Sequence, residues 1–234
     1  MTLGIIYDNS IRNNGTAVYT RRSLELLGVD IWHYLPSGQP IRQNAPDFLS
    51  CDYYLYVDDG RDDLGVFDTS ILPNPCSYWA VDTHLGYEHR FNMAKGMEHV
   101  FTAQKDGAVQ MEADGHPNAH WMPLACHPEA HVRLNVPKEH DIAFVGFLNS
   151  DWKNCPDDHY NRVEWLDNVQ RAFPNTWIAT NVFFEEMALQ FCRAKLGFNI
   201  SIKKDLNMRF FEVLSTGTPL LSNTDQDRDW ETHW

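Results

Sequence analysis

Short apolar runs alternate with segments of helical spacing along almost the whole chain, and this alternation limits the fold more than any other feature. The runs at 3–7 and 142–147 are rich in isoleucine, valine and aromatic residues, as buried strands are. The segments at 16–27 and 206–216 space their apolar residues as a helix does. Strands that alternate with helices form βαβ units. The sequence therefore predicts an α/β fold with parallel sheets.

The same pattern gives an order of elements in two halves. In the first half it predicts strands at 3–7, 29–35, 52–57, 77–81, 100–103 and 121–124, and helices at 16–27, 87–94 and 106–113. In the second half it predicts strands at 142–147, 176–179, 196–200 and 219–222, and helices at 160–173, 183–194 and 206–216. In the helix at 16–27, we expect a buried stripe of Val18, Leu24 and Leu27, with Thr16 as a possible cap and Gly28 at the end.

The alternation breaks once, between residues 126 and 141, where prolines, charges and three histidines follow no period. We therefore predict an N-terminal Rossmann-like domain at 1–126, a linker at 127–140 and a C-terminal Rossmann-like domain at 141–234. Two such domains facing a cleft are the simplest architecture, and a cleft of this kind is a favoured ligand site.

The net charge of the chain indicates which classes of binding partner are disfavoured. The chain has 19 Lys and Arg against 32 Asp and Glu, a formal net charge of −13. An acidic surface repels polyanions, so a dedicated nucleic-acid binder is disfavoured. No apolar run is long enough to span a bilayer and the first residues lack the pattern of a signal peptide, so we expect a cytoplasmic protein. The five cysteines form no C-x-x-C pair, which favours reduced thiols.

The most informative segment is 196–222, a strand, a polar turn, a helix and a Gly-Thr-Pro stop before another strand. A helix that begins at the carboxyl end of a parallel strand presents free N–H groups to a phosphate. Arg209 can contact the same anion, and Glu212 shares its helix face and can accept hydrogen bonds from a ribose. The alternative is an ordinary surface helix on which Arg209 and Glu212 form an exposed ion pair, and spacing alone favours that alternative.

This segment resembles the donor site of GT-B glycosyltransferases, in particular the CgeB-like spore-maturation family. There, a strand with Asn and Ser precedes an Asn-x-Arg-x-x-Glu helix closed by Gly-Thr-Pro; here these are Asn199, Ser201, Asn207, Arg209, Glu212, Gly217, Thr218 and Pro219. Segments that agree in order are 53–60, 78–84, 100–106, 121–125 and 144–147. The resemblance covers about 3–223.

The resemblance implies a nucleotide-diphosphate sugar held mainly by the C-terminal domain. By position, Glu212 would hold the donor ribose, Asn207 and Arg209 would lie by the diphosphate, and Gly146 would let the backbone approach the donor. Asn199, Gly217 and Thr218 complete the set of donor-site residues. The acidic residue that many retaining enzymes carry eight positions before this glutamate is Lys204 here. Either Lys203 or Lys204 can neutralise phosphate, or both are solvated surface lysines.

The segment Asp82-Thr83-His84 follows a strand and should lie at the carboxyl edge of the N-terminal sheet. Inverting sugar transfer needs a base for the acceptor hydroxyl, and Asp82 or His84 is the candidate. The alternative, about equally favoured, is that Asp82 only caps the next helix.

Two patterns look like metal sites. The segment 58–63 has four aspartates but not the spacing of a calcium loop, so we expect a solvated acidic turn. His116 with His120, and His127 with His131, have four-residue spacing, but prolines disfavour a helix at the first histidine of each pair. We expect no metal site and no cofactor apart from the donor substrate.

These observations predict a metal-independent glycosyltransferase acting on an unidentified hydroxyl of a protein, a glycan or a modified nucleobase. GT-B chains of this kind usually continue beyond the Gly-Thr-Pro strand, so the second domain looks truncated. The alternatives are an inactive protein that binds nucleotide sugars or carbohydrates, and a subunit completed by a partner, including a homo-oligomer. The motifs of dinucleotide oxidoreductases, P-loop kinases, α/β-hydrolases and common zinc proteases are absent from the sequence.

Overall fold

The computed structural model describes residues 1–7, 15–34, 46–58, 60, 67–148 and 158–223. The chain divides into two compact units, Met1–Pro123 and Leu124–Trp234. Residues 127–140, for which the sequence analysis predicts a linker, lie on the second unit's side of this division. The domain limits 1–126 and 141–234, and the truncation of the second domain, stay predictions.

The first unit is a parallel sheet with helices between its strands. Its elements, in chain order, are β1 (Thr2–Ile6), α1 (Thr16–Leu26), β2 (Asp30–Tyr34), β3 (Tyr53–Val57), β4 (Cys76–Ala80), α2 (Tyr87–Ala94), β5 (His99–Thr102), α3 (Lys105–Ala113) and β6 (Ala119–Trp121). The strand order is β2-β1-β3-β4-β5-β6, and every neighbouring pair is parallel. Short 3-10 turns at Pro46–Ser50 and Thr69–Ile71 were not predicted.

The second unit repeats this plan with a smaller sheet in the described part of the chain. Its elements are β7 (His140–Val145), α4 (Asp158–Ala172), β8 (Thr176–Ala179), α5 (Phe184–Arg193), β9 (Ala194–Asn199), a 3-10 turn (Ile202–Lys204), α6 (Met208–Ser215) and β10 (Leu220–Ser222). The strand order is β10-β9-β7-β8, again parallel throughout. The predicted α/β class with parallel sheets is confirmed.

The core of the second unit explains why β7 is apolar from Ile142 to Val145. Ala143 and Val145 pack into one hydrophobic cluster, with Phe191 of α5. Ile142 and Phe144 pack into another. Because alternate residues of a strand point to opposite faces, β7 is buried on both sides, as central strands of parallel sheets are.

Two local predictions for α1 are wrong. Thr16 is the first helical residue, and the N-cap is Gly15, which makes no side-chain capping bond. Leu27 is 78% exposed because the helix ends at Leu26, while Val18 is buried as expected. Gly28 follows with a positive φ of 75°, the conformation expected of a residue that ends a helix.

Candidate functional site

The start of α6 is fixed by Asn207. Its side chain accepts a hydrogen bond from the backbone N–H of Phe210 at 3.3 Å, so Asn207 is the N-cap. Asparagine is favoured at this position because its oxygen satisfies an N–H group that has no partner within the helix. The positive end of the α6 dipole therefore lies directly after the turn that follows β9.

Asn199 and Asn207 join β9 to this helix start. The Asn199 amide nitrogen donates to the Asn207 oxygen at 3.1 Å, and the Asn207 nitrogen lies 3.4 Å from the Asn199 oxygen. Asn199 also donates to Ser222 Oγ at the end of β10, at 3.2 Å. The Asn199 side-chain amide therefore connects the carboxyl ends of β9 and β10 with the amino end of α6.

Arg209 and Glu212 form an ion pair that is not a surface feature. Arg209 Nη1 lies 2.6 Å from Glu212 Oε2, and Glu212 is 2% exposed. The Arg209 guanidinium also lies over the ring of Phe191, with 6.0 Å between its central carbon and the ring centroid. The sequence alternative of an exposed pair on an ordinary surface helix is therefore wrong, because the helix face that carries Glu212 packs inward.

The second oxygen of Glu212 faces His131, at 3.6 Å from Nε2. His131 Nδ1 lies 3.0 Å from the backbone nitrogen of His127 and 3.2 Å from its carbonyl oxygen, so His127 holds one edge of the ring while Nε2 faces Glu212. Burial lowers the pKa of His131, and this outweighs the opposing effect of the Glu212 charge. His127 and His131 are 1% and 2% exposed, so they are interior groups beside the candidate site.

Arg162 of α4 reaches the same edge of the sheet. Its Nη1 donates to the Phe147 carbonyl at 3.0 Å, and its Nη2 donates to the Ile200 carbonyl at 2.7 Å. These carbonyls follow β7 and β9, so one side chain ties two strand ends together. Arg162 was not predicted from the sequence, since a single arginine in a helix matches no motif.

The structure places two further predicted donor residues at this edge. Gly146 follows β7, and its N–H donates to the Ala179 carbonyl at 3.1 Å. A Cβ on Gly146 would lie 2.6 Å from Phe144 Cζ, so packing already accounts for a glycine here. Lys203 is exposed and has a φ of +49°, a left-handed conformation that is uncommon for lysine. A role for either residue in donor binding stays a prediction.

Gly217 and Thr218 lie at the other end of α6, about 12 Å away for an eight-residue helix. Thr218 is 1% exposed and its hydroxyl donates to the Phe191 carbonyl at 2.8 Å. Gly217 has a φ of +72° and, with Arg133 and Lys138, lines a cavity of about 680 Å³ at the amino ends of the strands. The structure thus does not bring these two residues together with Asn207 and Arg209, and their donor role is untested.

In the first unit, Asp82 and His84 lie in the loop between β4 and α2, at the carboxyl edge of the sheet. Asp82 does not cap α2: the N-cap is Gly86, without a side-chain bond, and the Asp82 backbone carbonyl accepts from Leu85 and Gly86. Between the two candidates, Thr83 is buried and donates from its N–H (3.0 Å) and its hydroxyl (2.7 Å) to Gln104 Oε1. The capping alternative for α2 is therefore wrong.

The predicted solvated turn at 58–63 is wrong for its first residue. Asp58 is 4% exposed, and its Oδ2 lies 2.7 Å from Nε of Arg90, which is 1% exposed. The sequence missed this pair because Arg90 belongs to another helix. Residues 59 and 61–63 lie outside the described residues.

Within the described ranges, no group of three or more acidic, histidine or cysteine side chains is placed to hold a metal ion. His120 approaches His99 at 3.2 Å, and His116 lies 3.2 Å from the Ala94 carbonyl, so the sequence pair His116 and His120 is not a unit. No helix in the described part of the chain has the length and apolar character needed to cross a bilayer.

No family model matches the sequence, and no curated protein matches it either. The fold is similar to solved structures at low sequence identity. HepE from Anabaena in complex with UDP-glucose has a TM-score of 0.56 and 12% identity, over 94% of this chain and 80% of that chain. Sucrose-phosphate synthase from Thermosynechococcus elongatus has a TM-score of 0.55 and 9% identity, over 95% and 81%.

UDP-GlcNAc 2-epimerase from Methanocaldococcus jannaschii is also similar, with a TM-score of 0.52 and 10% identity over 99% of this chain and 86% of that chain. These similarities, with the two parallel sheets, show a GT-B fold of two Rossmann-like units. At such identities they show the fold alone, and an epimerase among them shows that the fold does not fix the reaction.

Proposed function

We propose that the chain is a glycosyltransferase that uses a nucleotide-diphosphate sugar. The observation that carries the proposal is the ion pair of the half-buried Arg209 with the buried Glu212 on the first turns of α6, beside the Asn199–Asn207 amide pair. A guanidinium and a helix N-terminus suit a diphosphate, and a buried carboxylate suits a ribose diol. The UDP-glucose named with HepE supports a donor of this class.

In this mechanism the second unit binds the donor. Arg209 and the start of α6 stabilise the charge that develops on the diphosphate as it leaves, and Glu212 fixes the ribose. Asn207 holds the helix start in place, with Gly146, Asn199 and Lys203 nearby. No metal ion is required in this scheme, since the guanidinium and the N–H groups supply the positive charge.

Asp82 or His84 takes the proton from the acceptor hydroxyl, if transfer inverts the anomeric centre. The acceptor is a hydroxyl of a protein, a glycan or a modified nucleobase. The CgeB-like family and the cytoplasm remain the expected relatives and compartment.

A thermal-shift screen against UDP, GDP and TDP, with and without a divalent ion, tests the donor site. A ligand at 100 times its Kd stabilises the folded state by about 2.7 kcal/mol. We expect one nucleotide to raise the melting temperature without metal, and Arg209→Ala to weaken its binding about tenfold or more. Arg171→Ala, an exposed arginine at the end of α4, is the control and should bind normally. No shift with any nucleotide contradicts the proposal.

Product analysis with the sugar form of that nucleotide separates the competing functions. Release of the nucleoside diphosphate that depends on an added hydroxyl acceptor supports transfer, while epimerised donor supports an isomerase. Tight binding without turnover supports the inactive binding protein, and turnover that appears only above a threshold protein concentration supports a subunit completed by a second copy.

A further inference from the structure

Arg162 carries a buried positive charge that no carboxylate neutralises among the residues the structure describes. The side chain is 9% exposed, and it donates hydrogen bonds to the carbonyls of Phe147 and Ile200. Its Nε–H is buried and has no hydrogen-bond acceptor within the described ranges. A buried guanidinium normally has an anionic partner, because removing its charge from water costs several kcal/mol.

The surroundings make this charge more costly. Burial, and after it the charge of Arg209, lower the pKa of Arg162. Arg209 thus adds like charge to the surroundings of Arg162, while the Glu212 carboxylate pairs with Arg209. Since Glu212 is the one carboxylate paired with Arg209 and none pairs with Arg162 among the described residues, one of these two positive charges has no counter-charge there. An anion bound here would restore the balance.

The Arg162 guanidinium and the start of α6 lie at the same edge of the sheet. Phe147 follows Gly146 beyond β7, and Ile200 follows Asn199 at the end of β9, so both carbonyls lie at the carboxyl edge of the sheet. Asn207 begins α6 at the same edge, through its bond with Asn199. A helix N-terminus and a buried guanidinium with no carboxylate partner in the described ranges therefore occur at one edge of the second unit.

We propose that Arg162 is a phosphate-recognition residue, a fixed guanidinium that supplies charge to the donor diphosphate together with Arg209. Its two carbonyl bonds hold the group in place, so the charge is positioned before the ligand arrives. This inference rests on the proposed function and extends it: the diphosphate, rather than the ribose or the base, is the part of the donor that Arg162 recognises.

The test measures, by calorimetry at fixed salt, the binding of UDP, uridine and pyrophosphate. Each ligand is measured with the wild type, with Arg162→Gln and with Arg171→Gln. If the thermal-shift screen identifies another base, the nucleotide and nucleoside of that base replace UDP and uridine. We expect Arg162→Gln to weaken UDP and pyrophosphate about tenfold or more and to leave uridine within about twofold. Arg171→Gln, on the same helix but exposed, should match the wild type for all three ligands. A residue that only supports the fold would change UDP and uridine affinity together.

A second measurement uses the wild type, so it stands even if Arg162→Gln does not fold. The arginine Nε–H signals are followed by NMR, with the Arg162 signal identified by its loss in Arg162→Lys. We expect pyrophosphate and the nucleotide to move this signal and uridine to leave it in place.

The outcomes separate the inference from the proposed function. If the wild type binds the nucleotide but Arg162→Gln keeps the full preference over the nucleoside, or the Arg162 signal does not move, the inference is wrong and the proposed function stands. If the wild type binds pyrophosphate through Arg162 but no nucleotide, the anion site stands and the proposed function fails. Binding of no ligand overturns both.

Discussion

At the scale of single residues, the Asp58–Arg90 pair connects three backbone segments of the first unit. Asp58 accepts from the N–H groups of Gly60 at 2.9 Å and Val81 at 3.2 Å, and Arg90 donates to the Gly86 carbonyl at 3.0 Å. Val81 and Gly86 bracket the loop that carries Asp82 and His84. The pair therefore fixes the loop on which the proposed base lies.

Asp58→Ala should be strongly destabilising, because it leaves Arg90 charged and buried. We expect a loss of about 3–5 kcal/mol in the free energy of unfolding, measured with urea. The control is Arg21→Ala, which removes the exposed pair between Arg21 and Glu25 and should cost less than about 1 kcal/mol. Similar losses for the two variants would show that burial does not control the strength of the first pair.

The burial of His131 predicts how the stability of the fold depends on pH. Its pKa is lowered below the ordinary value of 6.5 by burial, so the folded state favours the neutral ring, although the Glu212 charge and the backbone hydrogen bond to His127 act in the opposite direction. The stabilising contribution is present above pH 6.5 and is lost as the pH falls towards the folded pKa, because the unfolded state binds the proton first.

Urea unfolding at pH 7.5 and pH 5.5 should therefore show a larger loss of stability in the wild type than in His131→Gln. Glutamine keeps a donor for Glu212 but does not titrate, so the difference between the two proteins isolates the imidazole. Equal losses in both proteins would mean that His131 does not control this pH dependence.

At the scale of elements, α6 is determined at both ends by single residues. Asn207 begins it with a side-chain cap, and Gly217 ends it with a φ of +72°. A Cβ on Gly217 would also lie 3.1 Å from Arg133 Cδ. Gly28 has nearly the same φ, +75°, but no atom within 4 Å of its Cβ position.

The free energies of unfolding of Gly217→Ala and Gly28→Ala should thus differ only because of the packing around the added Cβ. The backbone strain costs about 1–2 kcal/mol at either site. We expect Gly217→Ala to cost more, since the Arg133 side chain must also move, and urea unfolding of the two variants measures the difference. Equal costs would show that Arg133 moves away freely.

At the scale of the whole molecule, the net charge of −13 should oppose folding by self-repulsion. Raising NaCl from about 0.01 to about 1 M shortens the Debye length from about 30 to about 3 Å. The melting temperature should rise over the first part of this range, as repulsion between surface carboxylates is screened, while buried pairs such as Asp58–Arg90 are screened much less. A steady fall would mean that surface attractions outweigh the net repulsion.

Local spacing was sufficient to predict most elements. The helix α2, Tyr87–Ala94, and the strand β8, Thr176–Ala179, begin and end where the pattern predicts them. The period of two or of 3.6 residues depends on neighbours along the chain, so it can be found in one sequence. Errors occur at ends, as at Leu27 and at β6, Ala119–Trp121, where the pattern predicted 121–124.

The candidate site was only partly predictable, for a physical reason. Asn207 caps the helix that carries Arg209 and Glu212, so their spacing along the chain placed the three together. The other side chains at that edge of the second unit come from distant segments: His131 precedes β7 and Arg162 lies in α4. In the first unit, the Asp58–Arg90 pair likewise joins two segments that are far apart in the sequence.

The sequence by itself thus determined the α/β class, most of the elements and the residues at the start of α6, because local periodicity and helix caps act over a few residues. Only the tertiary structure decided that Glu212 is buried, that His131 faces it, and that Arg162 has no counter-charge in the described part of the second unit. Burial and ion pairing depend on which strands become neighbours, and the order β10-β9-β7-β8 is set by packing across the whole sheet.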